Sequence, residues 1–279
     1  MVGLSIQTIR EQIDMEIRQK NSLPWGYHVS RGNMFQAHVH HQFGRNIACP
    51  TTYVPVTDNG FYRTPQPAAA TRLRVKAGGN AGDTAGGAGA RSVRLWGLNA
   101  SGDEVVEILA TAGASASSLT TSSFIRLYQV DVYDSGTYGT QAAGSHLGNI
   151  TIENAAGTED WAQIQLNGFP SGVTGIGSIT VPRNHVGLVS SIQINVDQTK
   201  TTDVLILKRE GILQSAAPYK PIQKVQEFIG VSRSITIHFE MPLKFQQLTD
   251  LGVLAKVSNG TGAVSVDLEV LMLEAETGL

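Results

Sequence analysis

The residue types best suited to chemistry stand together in the run His38-Val39-His40-His41. Neutral imidazole is the commonest metal ligand. Phe35 to His40 reads as a strand, and side chains two apart on a strand point the same way, so His38 and His40 could share one ion. Two ligands are too few for a site within one chain, and neither a cysteine nor a suitably spaced carboxylate stands beside them. They read first as surface or interface histidines. Second, they are weak metal-ligand candidates that a symmetric oligomer could gather around an axis.

Other chemistry finds less support. Gly78 to Gly89 resembles a phosphate cradle in composition, yet it lacks the Gly-Lys-Ser/Thr ending and is followed by no helix start. A flexible surface loop is the expectation there. Glycoside hydrolysis needs two carboxylates across a cleft. Asp131, Asp134, Glu153, Glu159 and Asp160 are available, but read as solvated turn residues. Cys49 is the sole cysteine. It permits no internal disulfide, and no Gly-x-Ser-x-Gly or matched histidine frame marks a nucleophile. Trp96, Phe124, Tyr128, Tyr133 and Tyr138 could stack on sugar rings, but with aromatics at 6% of the chain they read first as packing. No enzyme and no cofactor is expected.

The elements that would position these residues are mostly strands. The exception is Leu4 to Lys20, where Ser5 can cap a helix and Ile6, Ile9, Ile13 and Ile17 fall on one stripe. Pro24 ends it. That stripe covers either its own domain or a neighbouring subunit, and as a partner-binding face it makes residues 1–30 a docking arm. Residues 31–68, rich in glycine and proline, read as an extended linker with one or two short strands.

Residues 69–157 form a first β-sandwich region. Ser92 to Leu98 and Glu104 to Ala110 pair as a hairpin, and Phe124 to Val132 and Asn149 to Asn154 add strands. Residues 158–279 form a second, jelly-roll-like region. Its strands are expected at Trp161–Leu166, Ser178–Val181, Val186–Val196, Asp203–Lys208 and Phe228–Ile229. Ile235, Ile237 and Phe239 alternate with polar residues until Met241-Pro242-Leu243 closes that strand. Gly252–Val257 and Ala263–Leu273 flank the Asn259-Gly260 turn, with Val264, Val266, Leu268, Val270 and Met272 on one face. The fold class is therefore all-β, antiparallel β-sandwich or jelly-roll regions with one N-terminal α-helix.

Composition sets the bounds. The 279 residues carry a net charge of −2 and only 16% charged side chains, so no basic field draws nucleic acid or an anionic membrane. No apolar run reaches membrane-spanning length and the start lacks a signal-peptide core, so a soluble protein made in the cytoplasm is expected.

Several segments, in order, resemble virion structural proteins of tailed bacteriophages, especially marine ones. They are His41-Gln42-Phe43-Gly44-Arg45-Asn46, the stretch from Asp83 to Ala100 leading into Glu104-Val105-Val106-Glu107, Ser178-Ile179-Thr180-Val181-Pro182, and Pro242-Leu243-Lys244-Phe245 followed by Leu248-Thr249-Asp250. The family's Asp-rich continuation after Phe-Gly-Arg-Asn is replaced here by Ile47-Ala48-Cys49-Pro50. The resemblance implies a multi-copy, non-enzymatic part of a virion, with copies of itself and other virion proteins as partners. A tail or head-to-tail component, of fibre or adaptor type, is the first expectation, and a capsid decoration or vertex spike the second. A carbohydrate-binding module that takes a host-surface glycan through the loops around Tyr128 to Tyr138 is the alternative from another class.

Overall fold

The computed structural model describes residues 29, 31, 37–58, 70–139, 144–166, 172–214 and 216–275. The expected helix, with Ile6, Ile9, Ile13 and Ile17, lies outside them. Within them the chain is all-β, and every strand pairing is antiparallel.

The body consists of two facing sheets. One runs in the order β1 (Ala37–Cys49), β15 (Gly262–Glu274), β10 (His185–Val196), β13 (Ser234–Phe245). The other runs β12 (Gln223–Val231), β11 (Thr202–Arg209), β14 (Asp250–Val257), β2 (Val54–Pro55), with β9 (Ser178–Thr180) also on β14. Alternation on β15 sends Val264, Val266, Leu268, Val270 and Met272 inward, where they meet Val204, Ile206, Leu251, Val253 and Ala255 of the opposite sheet. Each of the larger side chains among them, fully buried, contributes about 1.5–3 kcal/mol. The apolar inner faces of β15, β10, β11 and β14 are what fix this register.

A second unit interrupts the body within a single strand position. β2 pairs with Leu254 and Ala255, while β9 pairs with Asp250 to Gly252, so the two lie end to end along β14. At the seam, Val56 N–H donates to the Val253 carbonyl (3.0 Å), Val253 N–H to Gly177 (3.2 Å) and Gly177 N–H to Val56 (2.9 Å). The chain leaves the sheet at Val56 and returns at Gly177 to the same place. Such adjacency of ends lets an inserted unit fold around its own core.

That insert holds two three-stranded sheets, β3 (Leu73–Val75), β7 (Ile150–Asn154), β8 (Asp160–Ile164) and β5 (Glu104–Ala110), β4 (Ala90–Asn99), β6 (Phe124–Ser135). Leu73, Leu95, Phe124, Val130, Ile152 and Trp161 fill the space between them. The sequence division at 157/158 falls in the turn joining β7 to β8, which are paired neighbours.

Three elements differ from the sequence expectations. β1 runs for 13 residues through the segment read as linker. β13 continues through Met241-Pro242-Leu243 instead of closing there: it is an edge strand, and its register skips between Leu243 opposite Val189 and His238 opposite Ser191. Pro242 falls inside that skip, where no ladder donor is required. The glycine loop is tied down rather than free. Asp83 is buried, and its carboxylate accepts from the backbone N–H of Ala90 (2.9 Å), Leu147 (3.0 Å) and Gly148 (2.9 Å). A Cβ at Gly87 or Gly89 would overlap the Gly82 carbonyl or the Asp83 carboxylate, so close approach explains those glycines.

Candidate functional site

The polar residues that converge lie where the insert meets the body. β1 is responsible. Its register places His38, His40, Gln42, Gly44 and Asn46 opposite Met272, Val270, Leu268, Val266 and Val264, on the face that β15 turns to the core. That face of β1 is polar, and it is covered by the insert. Gln42 is buried and donates from Nε2 to the carbonyls of Tyr128 (2.9 Å) and Ile176 (2.6 Å). Gly44 packs directly on the Gly177 backbone, where a Cβ would overlap it.

Above Gln42 the same face carries His40 and His38, whose rings meet edge to face with centroids 4.8 Å apart. His185, the first residue of β10, stands edge-on to His38 at 5.8 Å, its Nδ1 donating to the Arg183 carbonyl at 2.8 Å. From the insert comes Glu104, at the first position of β5. Its Oε1 lies 4.0 Å from His40 Nε2 and accepts from the Tyr128 hydroxyl at 3.0 Å. Burial, and next the His38 ring, hold the His40 imidazole below its ordinary pKa, outweighing the pull of Glu104. Burial likewise raises the Tyr128 phenol, with Glu104 adding to the effect. His41 points the other way and is exposed.

The β4–β5 turn that presents Glu104 is itself docked on the body. Arg183 N–H donates to the Gly102 carbonyl (2.8 Å) and its Nε to the Ser101 carbonyl (2.7 Å). Deeper in the junction, Arg126 of β6 meets Asp250 of β14, whose carboxylate also accepts from Thr180 Oγ1 at 2.6 Å.

The sequence-based candidates are thus partly brought together. His38 and His40 do share a face, and a carboxylate stands beside them that lies far off in the chain. Only the fold brings Glu104 and His185 near, so no local spacing announced them. The carboxylates considered for hydrolysis are distributed otherwise. Asp131 accepts from Arg94 (3.0 Å) and Trp96 Nε1 (2.8 Å), Asp134 from Ser92 (2.8 Å), Glu153 from Arg74 (2.7 Å) and Asp160 from Lys76 (2.9 Å). Of the aromatics considered for sugar stacking, Phe124 and Tyr128 are buried and Trp96 lies under the Arg94 guanidinium, 4.7 Å from its ring centre. Tyr133 and Tyr138 are exposed. Cys49 is buried at the end of β1, and burial raises its thiol pKa to about 11. Among the described residues no helix is long and apolar enough to cross a membrane.

No family model and no curated protein matches the chain. Similar solved structures include infectious bursal disease virus of the Gx strain, at 10% identity and a TM-score of 0.21 over 87% of this chain and 77% of that one. The Gt strain of the same virus is similar at 10% identity and a TM-score of 0.19, over 92% of this chain and 84% of that one. Scores this low do not establish a shared fold.

Proposed function

We propose that this chain is a non-enzymatic structural protein of a bacteriophage virion, assembled in several copies, with a tail or head-to-tail position as the first placement. The observation that carries the reading is the path of the chain through its two body sheets. Taken in sequence, β1, β2, β10, β11, β12, β13, β14 and β15 fall in the first, second, first, second, second, first, second and first sheet. That alternation supports a jelly-roll reading of the body, an architecture used by viral shells and by lectins. The insert then gives the body a second β unit, which leaves and returns beside β14. The resemblance of the 83–100 and 242–250 segments to virion proteins supports the same reading.

Lectins share the architecture, and Tyr133 and Tyr138 are exposed. The glycan reading is nevertheless second, because Phe124, Tyr128 and Trp96 are engaged in packing. Immunogold labelling of the phage particle with antibody against the insert tests the proposal. Label at the tail or the head-to-tail junction is expected. Label across the head faces would move the protein to a decoration role. Unlabelled particles together with glycan-array binding by the full chain would overturn the virion reading.

A further inference from the structure

Two strands that belong to different units of the fold place three metal-ligand side chains in one spot. One ligand atom each from His38 and His40 of β1 and from Glu104 of β5 all lie within 4.8 Å of one another. His40 Nε2 is buried and has no hydrogen-bond partner. A buried polar nitrogen without a partner is costly, and it is rare enough to call for an occupant.

We propose that His38, His40 and Glu104 bind one divalent transition-metal ion of the zinc kind, which fastens the insert to the body, with water in the fourth place. Two imidazole nitrogens and a carboxylate oxygen form a donor set suited to zinc. In a tetrahedral site with ligands about 2.1 Å from the ion, the ligand atoms stand roughly 3.4 Å apart, so the widest pair needs to close by up to roughly 1.4 Å. Side-chain rotation supplies that distance. The surroundings are those of a supported site. Tyr128 Oη holds the Glu104 carboxylate at 3.0 Å, and the His185 ring stands edge-on to His38 at 5.8 Å. Such outer partners orient ligands and strengthen binding.

The test uses the full chain without an affinity tag, stripped with a chelator and then titrated with zinc chloride. Expected are one zinc bound per chain by elemental analysis after dialysis, a zinc-dependent rise in melting temperature, and zinc-induced shifts of the His38 and His40 ring-nitrogen resonances. His40→Gln and Glu104→Gln should each weaken binding at least tenfold. Tyr128→Phe should weaken it by about tenfold, as loss of an outer partner does. His41→Gln, on the opposite face, should leave it unchanged. Failure of the wild-type chain to bind zinc in stoichiometric amount overturns the proposal, as does undiminished binding by both His40→Gln and Glu104→Gln. Should those variants not fold, the wild-type resonances still decide: shifts confined to other histidines, such as His238, overturn it.

Discussion

Arg126 and Asp250 form a two-point ion pair inside the protein, with Nε 2.9 Å from one carboxylate oxygen and Nη2 2.8 Å from the other. The arginine side chain is fully buried and the aspartate nearly so. One belongs to the insert and the other to the body, and no solvent screens them. Removing one partner of such a pair costs about 3–5 kcal/mol, because the other charge stays buried. Arg126→Met should lower the unfolding free energy by about that amount. Arg126→Met combined with Asp250→Leu should recover most of the loss. Denaturant unfolding of the single and double variants measures both, and equal destabilisation in the two would show that the charges are not coupled.

Gly44 and Gly177 bring two backbones together where the insert returns to the body. A methyl group at Gly44 meets backbone atoms, which cannot swing aside as a side-chain tip could. Gly44→Ala should therefore destabilise by about 2 kcal/mol or more, in the range of overpacked cores. A melting temperature within error of the wild type would contradict the close approach.

Asp58 introduces a pH dependence. Burial raises its carboxyl from 3.8 to about 6, against the opposing effects of the Gly175 N–H and Arg45. Between those two values the native state binds more protons than the unfolded chain, so this group's contribution to stability falls as pH rises through the window. It is fully present below the unfolded value and lost above the native one. Asp58→Asn should remove that decline, leaving the variant more stable relative to wild type at pH 7 than at pH 4 by about 2 kcal/mol. Chemical denaturation at both pH values gives the difference directly, and a constant gap between the proteins would refute the assignment.

The virion proposal makes Ile6, Ile9, Ile13 and Ile17 an assembly face. Ile9→Asp with Ile13→Asp should leave the β body folded, with unchanged circular dichroism and melting, while the protein disappears from purified particles. Light scattering of the chain with and without residues 1–23 gives a second readout, a closed oligomer against a folded monomer. Normal incorporation of the double variant would rule out the docking role.

The sequence by itself determined the strands that bury one apolar face. On β15, Val264 to Met272 alternate so regularly that side-chain period alone defines the element, and Asn259-Gly260 marks its turn. The β4–β5 hairpin was legible for the same reason. β1 was not, beyond its first residues, because its pattern is inverted. Gln42, Gly44 and Asn46 face inward while Phe43 and Ile47 are exposed. Polar residues are tolerated there because the insert supplies carbonyls to Gln42 and a bare backbone to Gly44, partners that arrive from more than eighty positions along the chain. What anchors the glycine loop was not legible for a related reason: composition shows no bulk to pack, but not the buried Asp83 carboxylate that gathers its backbone.

The histidine cluster divides in the same way. That His38 and His40 share a face follows from two-residue periodicity, a local property of any strand. That Glu104, Tyr128 and His185 surround them depends on where an insert, leaving at Val56 and returning at Gly177, folds back over β1. Local spacing encodes what neighbours in the chain can do together; contacts across units are set by packing of whole sheets, which only the tertiary structure decides.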